Sequence, residues 1–153
     1  MIGTAMANDP FPPKNQLLQA CRGEASGDHP VLGWAAELAD LHTRRLTTDR
    51  VTLTDREAVD EIDSRRSALV REIDRWIAAR IPPAPYAAAV HTETVGPIID
   101  RLAELTSRAF IALTSTSSWE LGNVWEELAE LAVGYEDLAT EICAGRRRLP
   151  GGP

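Results

Sequence analysis

Apolar residues recur at three- and four-residue spacing through four long segments of this 153-residue chain, and no segment alternates with period two. That 3.6-residue period puts each stripe on one face of a helix, and each face must be buried against another element. The first segment, expected from about His29 to Leu46, carries Val31, Trp34, Ala35, Leu38 and Leu41. The second, from Thr54 to about Arg80, carries Val59, Ile62, Leu69, Ile73, Trp76 and Ile77. The third carries Ile98, Leu102, Leu105, Ala109 and Leu113; the fourth carries Leu121, Val124, Trp125, Leu128, Leu131, Tyr135, Leu138 and Ile142. Their short connections predict an all-α fold, an antiparallel bundle of four long helices with a short N-terminal helix or extended arm.

The punctuation residues set the expected boundaries. Asp28 is placed to N-cap the first long helix, with Pro30 in its first turn. Thr54 with Glu57, and Ser117 with Glu120, have the spacing of capping boxes. Pro82, Pro83 and Pro85 cannot continue a helix, and Gly145 supplies the last stop. Residues 1–13, with Pro10, Pro12 and Pro13, read as a flexible lead-in; 14–145 form a single helical domain, opening on a short helix in NQLLQACRG. The tail RRRLPGGP, residues 146–153, reads as mobile, its three arginines complementing a helix C-terminus.

Charge narrows the partners. With 16 Lys+Arg against 23 Asp+Glu the formal net charge is -7, and Lys14 is the only lysine, which argues against nucleic acid. Cys21 and Cys143 lie near opposite ends without CxxC spacing, so free thiols in a reducing cytoplasm are expected. The start MIGTAMANDPFPPKN lacks a signal-peptide pattern and no run approaches a membrane span, so a soluble cytoplasmic chain with no membrane partner is expected.

Polar residues inside the apolar stripes are the candidate site. Arg66 lies within the second stripe, seven residues after Val59, with Asp63 one turn before it; His42 holds a similar place four residues after Leu38. A guanidinium in a core needs a carboxylate. Asp63 is at hand, and Glu93, just before the third helix, is the expected second partner. His42, His91, Glu93 and Asp63 could be imagined as a metal site, but neither HExxH nor paired ExxH spacing is present, and no metal or cofactor is expected. Trp34, Trp76 and Trp125 fall on apolar faces and are expected in the core; Trp119, beside a polar loop, is placed to rim a pocket or interface.

Two motifs carry a resemblance. His91, Thr92, Glu93, Thr94 and Val95 followed by Ile99, Asp100, Arg101 and Leu102 form one, and Asp63, Arg66, Ile73 and Asp74 form the other. On these residues the chain, from about His29 to Gly145, resembles the bacterial domain of unknown function 4254 family. In that family's pattern Asn stands where this chain has His91 and Asp63, and Pro where it has Val95. The resemblance implies no activity. It does imply that Thr94 is the N-cap of the third helix, with Gly96 in its first turn and Glu93 poised to meet Arg66.

Three functional readings are weighed. The first reading is a non-catalytic binding or protein-interaction module with a polar cluster of His42, Asp63, Arg66, Glu93, Thr94, Asp100 and Arg101, a homodimer being one form it could take. The alternative is an enzyme acting on a small anionic molecule in the bundle interior, Arg66 and Arg101 holding the anion while His91 or Glu93 moves a proton. Glu126, Glu127, Glu130 and Asp137 prompt a third idea, an all-α nucleotide pyrophosphatase, but they lack an ExxE…ExxD arrangement and read as a solvated face.

Overall fold

A computed structural model of the protein describes residues 9–24, 27–48, 52–114 and 118–151. These contain five helices: α1 (Lys14–Cys21), α2 (Pro30–Thr47), α3 (Leu53–Ala78), α4 (Val95–Leu113) and α5 (Ser118–Cys143). Two short strands, β1 (Ala89–Val90) and β2 (Arg147–Arg148), pair in parallel. The fold is all-helical apart from that two-residue ladder, which the sequence reading did not anticipate.

The caps differ in detail from expectation, for local reasons. α2 is capped by His29, one residue after Asp28: Nδ1 accepts the amide of Val31, and Nε2–H faces the carbonyl of Asp9. Pro30 has no N–H to offer, so Val31 is the first donor a cap can satisfy. The capping box of α3 is Thr52 with Asp55, two residues ahead of Thr54 and Glu57. Thr52 Oγ1 accepts the Asp55 amide at 3.0 Å and Asp55 Oδ2 accepts the Thr52 amide at 3.4 Å, so the earlier of two overlapping Thr-x-x-acid frames sets the start. Of the expected box of Ser117 and Glu120, Ser117 lies outside the described residues. At the far end of α5, Gly145 takes φ +76°, Gly145 N–H donates to Ile142 O and Arg146 N–H to Glu141 O. That pair of bonds is a Schellman stop, and the left-handed conformation explains the glycine.

α4 is the central element. It packs against α1, α2, α3 and α5, and Val95, Ile98, Ile99, Leu102, Ala103, Leu105 and Ala109 are all buried on it. From the other helices Leu17, Val31, Ala35, Leu38, Leu69, Ile73 and Ile77 complete the core. α5 touches α4, α1 and β2 but neither α2 nor α3, so much of its circumference faces solvent. Trp34 and Trp76 pack on the core, whereas Trp125, expected there, is 44% exposed because it lies on the flank of the buried face of α5.

Both ends of the described chain are tied down. Phe11 is buried with its ring edge-on to Tyr135, and Tyr135 Oη donates to Pro12 O at 2.6 Å, so residues 9–13 of the expected lead-in are a packed arm, while residues 1–8 lie outside the described residues. In the tail, Ala89 N–H donates to Arg146 O, His91 N–H to Arg148 O, and Leu149 is buried. Residues 146–151 are therefore docked where mobility was expected. Cys21 is buried and Cys143 exposed, both as free thiols. Among the described residues no helix is long and apolar enough to cross a membrane.

Candidate functional site

Two four-residue spacings build the polar cluster. On α3, Arg66, Val70 and Asp74 follow one another at i, i+4 and i+8; on α4, Gly96 and Asp100 are four apart. Each set lies on one helix face, and the two faces meet.

At one end of the contact, Asp74 receives two donors from the start of α4. Thr94 Oγ1 donates to Asp74 Oδ2 at 2.8 Å and Gly96 N–H donates to Oδ1 at 2.7 Å. Thr94 is the N-cap residue of α4, as the family motif implies, but its hydroxyl makes no capping bond; a carboxylate on the neighbouring helix does that work. A negative charge there is also favoured by the helix dipole. Gly96 is needed for the approach, since a Cβ would stand 2.6 Å from Val70 O and 2.8 Å from Asp74 Oδ1.

Two turns along, Asp100 is held by two helices. Arg66 Nη2 donates to Asp100 Oδ2 at 2.8 Å from α3, and His42 Nε2 donates to Oδ1 at 2.7 Å from α2. Arg66 Nη1 also donates to Asp63 Oδ1 at 3.0 Å, and that oxygen takes Arg45 Nε at 2.8 Å. The result is a continuous chain, His42–Asp100–Arg66–Asp63–Arg45, linking α2, α3 and α4. Burial by itself raises the pKa of Asp100, and the hydrogen bonds from His42 and Arg66 outweigh it, leaving the carboxyl below its ordinary range. Asp63 ends below its range in the same way, burial being outweighed by Arg45 and Arg66. Arg66 is raised, chiefly by its hydrogen bond to Asp100.

Glu93 does not reach Arg66. It forms a bidentate pair with Arg101, at 3.0 and 2.8 Å, which lowers the pKa of Glu93 and raises that of Arg101. The expected Glu93–Arg66 clasp is therefore replaced by Asp100–Arg66. Positions 100 and 101 point about 100° apart on a helix, so their two pairs face different grooves. Arg66 and Asp100 line a cleft of about 350 Å³ with Ser67, Val70, Arg71 and Pro97, whereas Arg101 lines one of about 360 Å³ with Leu105, Glu127, Glu130, Leu131 and Gly134. His91, half-buried, enters by its backbone, through the bond to Arg148. Among the described residues no three His, Cys, Asp or Glu side chains converge as a metal-binding group.

Sequence reasoning had picked out His42, Asp63, Arg66 and Asp100, which the fold unites, and Glu93 and Arg101, which it pairs separately. It gave no role to Asp74 or Arg45. Asp74 had a signal: it follows Arg66 by two turns on the same face, next to the buried Ile73. An all-helical domain knit by these motifs has a family to match. The chain belongs to the family described as protein of unknown function (DUF4254), whose family model matches residues 32–150. That span takes in α2 through the docked tail and leaves α1 outside. No curated protein and no solved structure matches the chain significantly.

Proposed function

We propose that the chain is a non-catalytic binding module, an interaction domain whose signature residues hold helices together and whose outer faces meet the partner. The observation that carries this reading is the commitment of every motif charge to another side chain of the same domain. Asp100 is taken by His42 and Arg66, Asp63 by Arg66 and Arg45, Glu93 by Arg101. A catalytic group has to face substrate, and here the carboxylates and guanidinia pair with each other, Asp100 with Arg66 and Asp63 with Arg45 across helix contacts and Glu93 with Arg101 along the start of α4. In this reading α2 to α5 form an antiparallel bundle. Support comes from the register of α3 on α4, where Arg66, Val70 and Asp74 meet Asp100, Gly96 and Thr94 in reverse order.

The alternative, an enzyme acting on a small anion with Arg66, Arg101, Glu93 and His91, has one observation in its favour. Arg71 stands at the rim of the Arg66 cleft with no ion-pair partner among the described residues. Thermal melting with about 10 mM inorganic phosphate or succinate separates the two, because a ligand that binds the native state raises its melting temperature. The interaction module predicts no anion-specific rise. A rise abolished by Arg71→Met would give the site to an anion and overturn the module.

A further inference from the structure

Helix α5 carries Glu120, Glu126, Glu127, Glu130, Glu136, Asp137 and Glu141 and no Arg or Lys, so its formal charge is strongly negative over its whole length. Like charges three and four residues apart weaken a helix, and Glu126–Glu130 and Glu127–Glu130 are such pairs. A salt bridge closes the C-terminal end of α5, where Arg147 Nε donates to Glu141 Oε1 at 2.8 Å. Glu126, Glu127 and Glu130 are exposed and have no ion-pair partner among the described residues.

Two of those carboxylates border a groove, and Glu126 stands beside it. Glu127 and Glu130 line the cleft between α4 and α5, whose floor is Leu105 and Leu131 and which is open at Gly134. They also line a cleft of about 320 Å³ with Asn123 and Glu126. The second cleft is lined by α5 alone, so it is the outward flank of the first, and Trp119, 78% exposed, lies further toward the N-terminus along that flank. From Trp119 to Gly134 the strip runs about 22 Å, the length of about four helical turns. At its lower border, the charge of Arg101 is already balanced by Glu93.

We propose that this groove docks a basic amphipathic helix of a partner protein. The proposal rests on the reading of the chain as an interaction module and names the partner's chemistry. Apolar side chains of the incoming helix cover Leu105, Leu131 and Trp119, and its Lys or Arg residues meet Glu126, Glu127 and Glu130. Charge selects among occupants. A second copy laid face to face would oppose one acidic strip to another, and an anionic membrane surface or a nucleic acid would be repelled.

The test is fluorescence anisotropy of a labelled, roughly 18-residue Leu/Lys peptide with its leucines at helical spacing, titrated with the full chain. Control peptides are the same pattern with Glu for Lys and a scrambled Leu/Lys order. The basic amphipathic peptide is expected to bind more weakly as salt rises, and both controls to bind poorly. Glu126→Gln/Glu127→Gln/Glu130→Gln should weaken binding at least about tenfold. Gly134→Gln should weaken it too. A Cβ there meets nothing within 4 Å, so that variant folds with its melting temperature unchanged or raised while the new side chain fills the groove. Equal affinity for the scrambled peptide, or for the triple variant, would overturn the proposal. So would a dimer in sedimentation that the triple variant changes, which would assign the groove to a second copy. Failure of the basic amphipathic peptide to bind the unsubstituted chain, without any anion-induced rise in melting temperature, overturns the partner class alone; an anion-induced rise overturns the interaction module itself.

Discussion

The backbone N–H of Gly96 donates to Oδ1 of Asp74 at 2.7 Å, so the first turn of α4 is capped by a side chain of α3. The same closeness that allows this bond leaves no space for a side chain at position 96, where Val70 O would lie 2.6 Å from a Cβ. Capping and close packing are therefore one feature. It joins the second motif of the chain, which contains Asp74, to the first, which leads into α4.

Gly96→Ala should push α4 away from α3 and stretch the Asp74 bond. Overpacking of this kind costs about 1–3 kcal/mol. At about 2–4 °C per kcal/mol for a chain of this size, the melting temperature should fall visibly in a thermal scan. Gly122→Ala, at a helical glycine with nothing within 4 Å of the added carbon, is the control and should leave the melting temperature unchanged or higher.

Acid should loosen the same region. Asp100, Asp63 and Glu93 all have folded-state pKa values below their ordinary ones. A depressed carboxylate contributes stability that is fully present above its unfolded pKa, about 4, and that is lost as pH falls through the lower folded value. Melting temperature should therefore decline below about pH 4, and Asp100→Asn should make that decline shallower. An equally steep acid limb in Asp100→Asn would mean that Asp100 is not among the groups being titrated.

The helices were legible because each stripe persists over many turns, and Arg66 was legible as a cation in need of a carboxylate. Asp63, its partner one turn earlier on α3, was legible too, but its partner on α4 was not. Glu93 was favoured for being next to the helix start, yet side chains meet by face, and Asp100 shares a face of α4 with Gly96. Reading 66, 70 and 74 against 96 and 100 as two four-residue ladders would have found the pairing. The start of α3 slid by two residues because Thr52 with Asp55 and Thr54 with Glu57 fit the same pattern. The β1–β2 ladder left no signal, since two residues such as Ala89–Val90 have no period to detect and their partner lies far along the chain.

The docked tail supplies a further check. Leu149 is 6% exposed, and with Pro150 and Gly151 it lines a cleft with Ile77, Ile81 and Thr94. Leu149→Ala should cost at least about 2 kcal/mol, the low end for a buried leucine. Chemical denaturation measures it, and a midpoint equal to wild type would return residues 146–151 to the status of a loose end.

The central claim is that the motif charges are a clasp, and a double-mutant cycle on Arg66 and Asp100 measures this most directly. Their side chains are 24% and 15% exposed, so the pair is largely withdrawn from water. Asp100→Asn leaves Arg66 with Asp63 as its remaining partner, and should cost about 3 kcal/mol, the lower edge for breaking a buried pair. Arg66→Met should cost a similar amount. With both changes made, neither charge is left without the other, and the loss should fall short of the sum by at least about 1 kcal/mol. Additivity within about 0.5 kcal/mol would contradict the clasp, because two groups that hold each other cannot be removed independently.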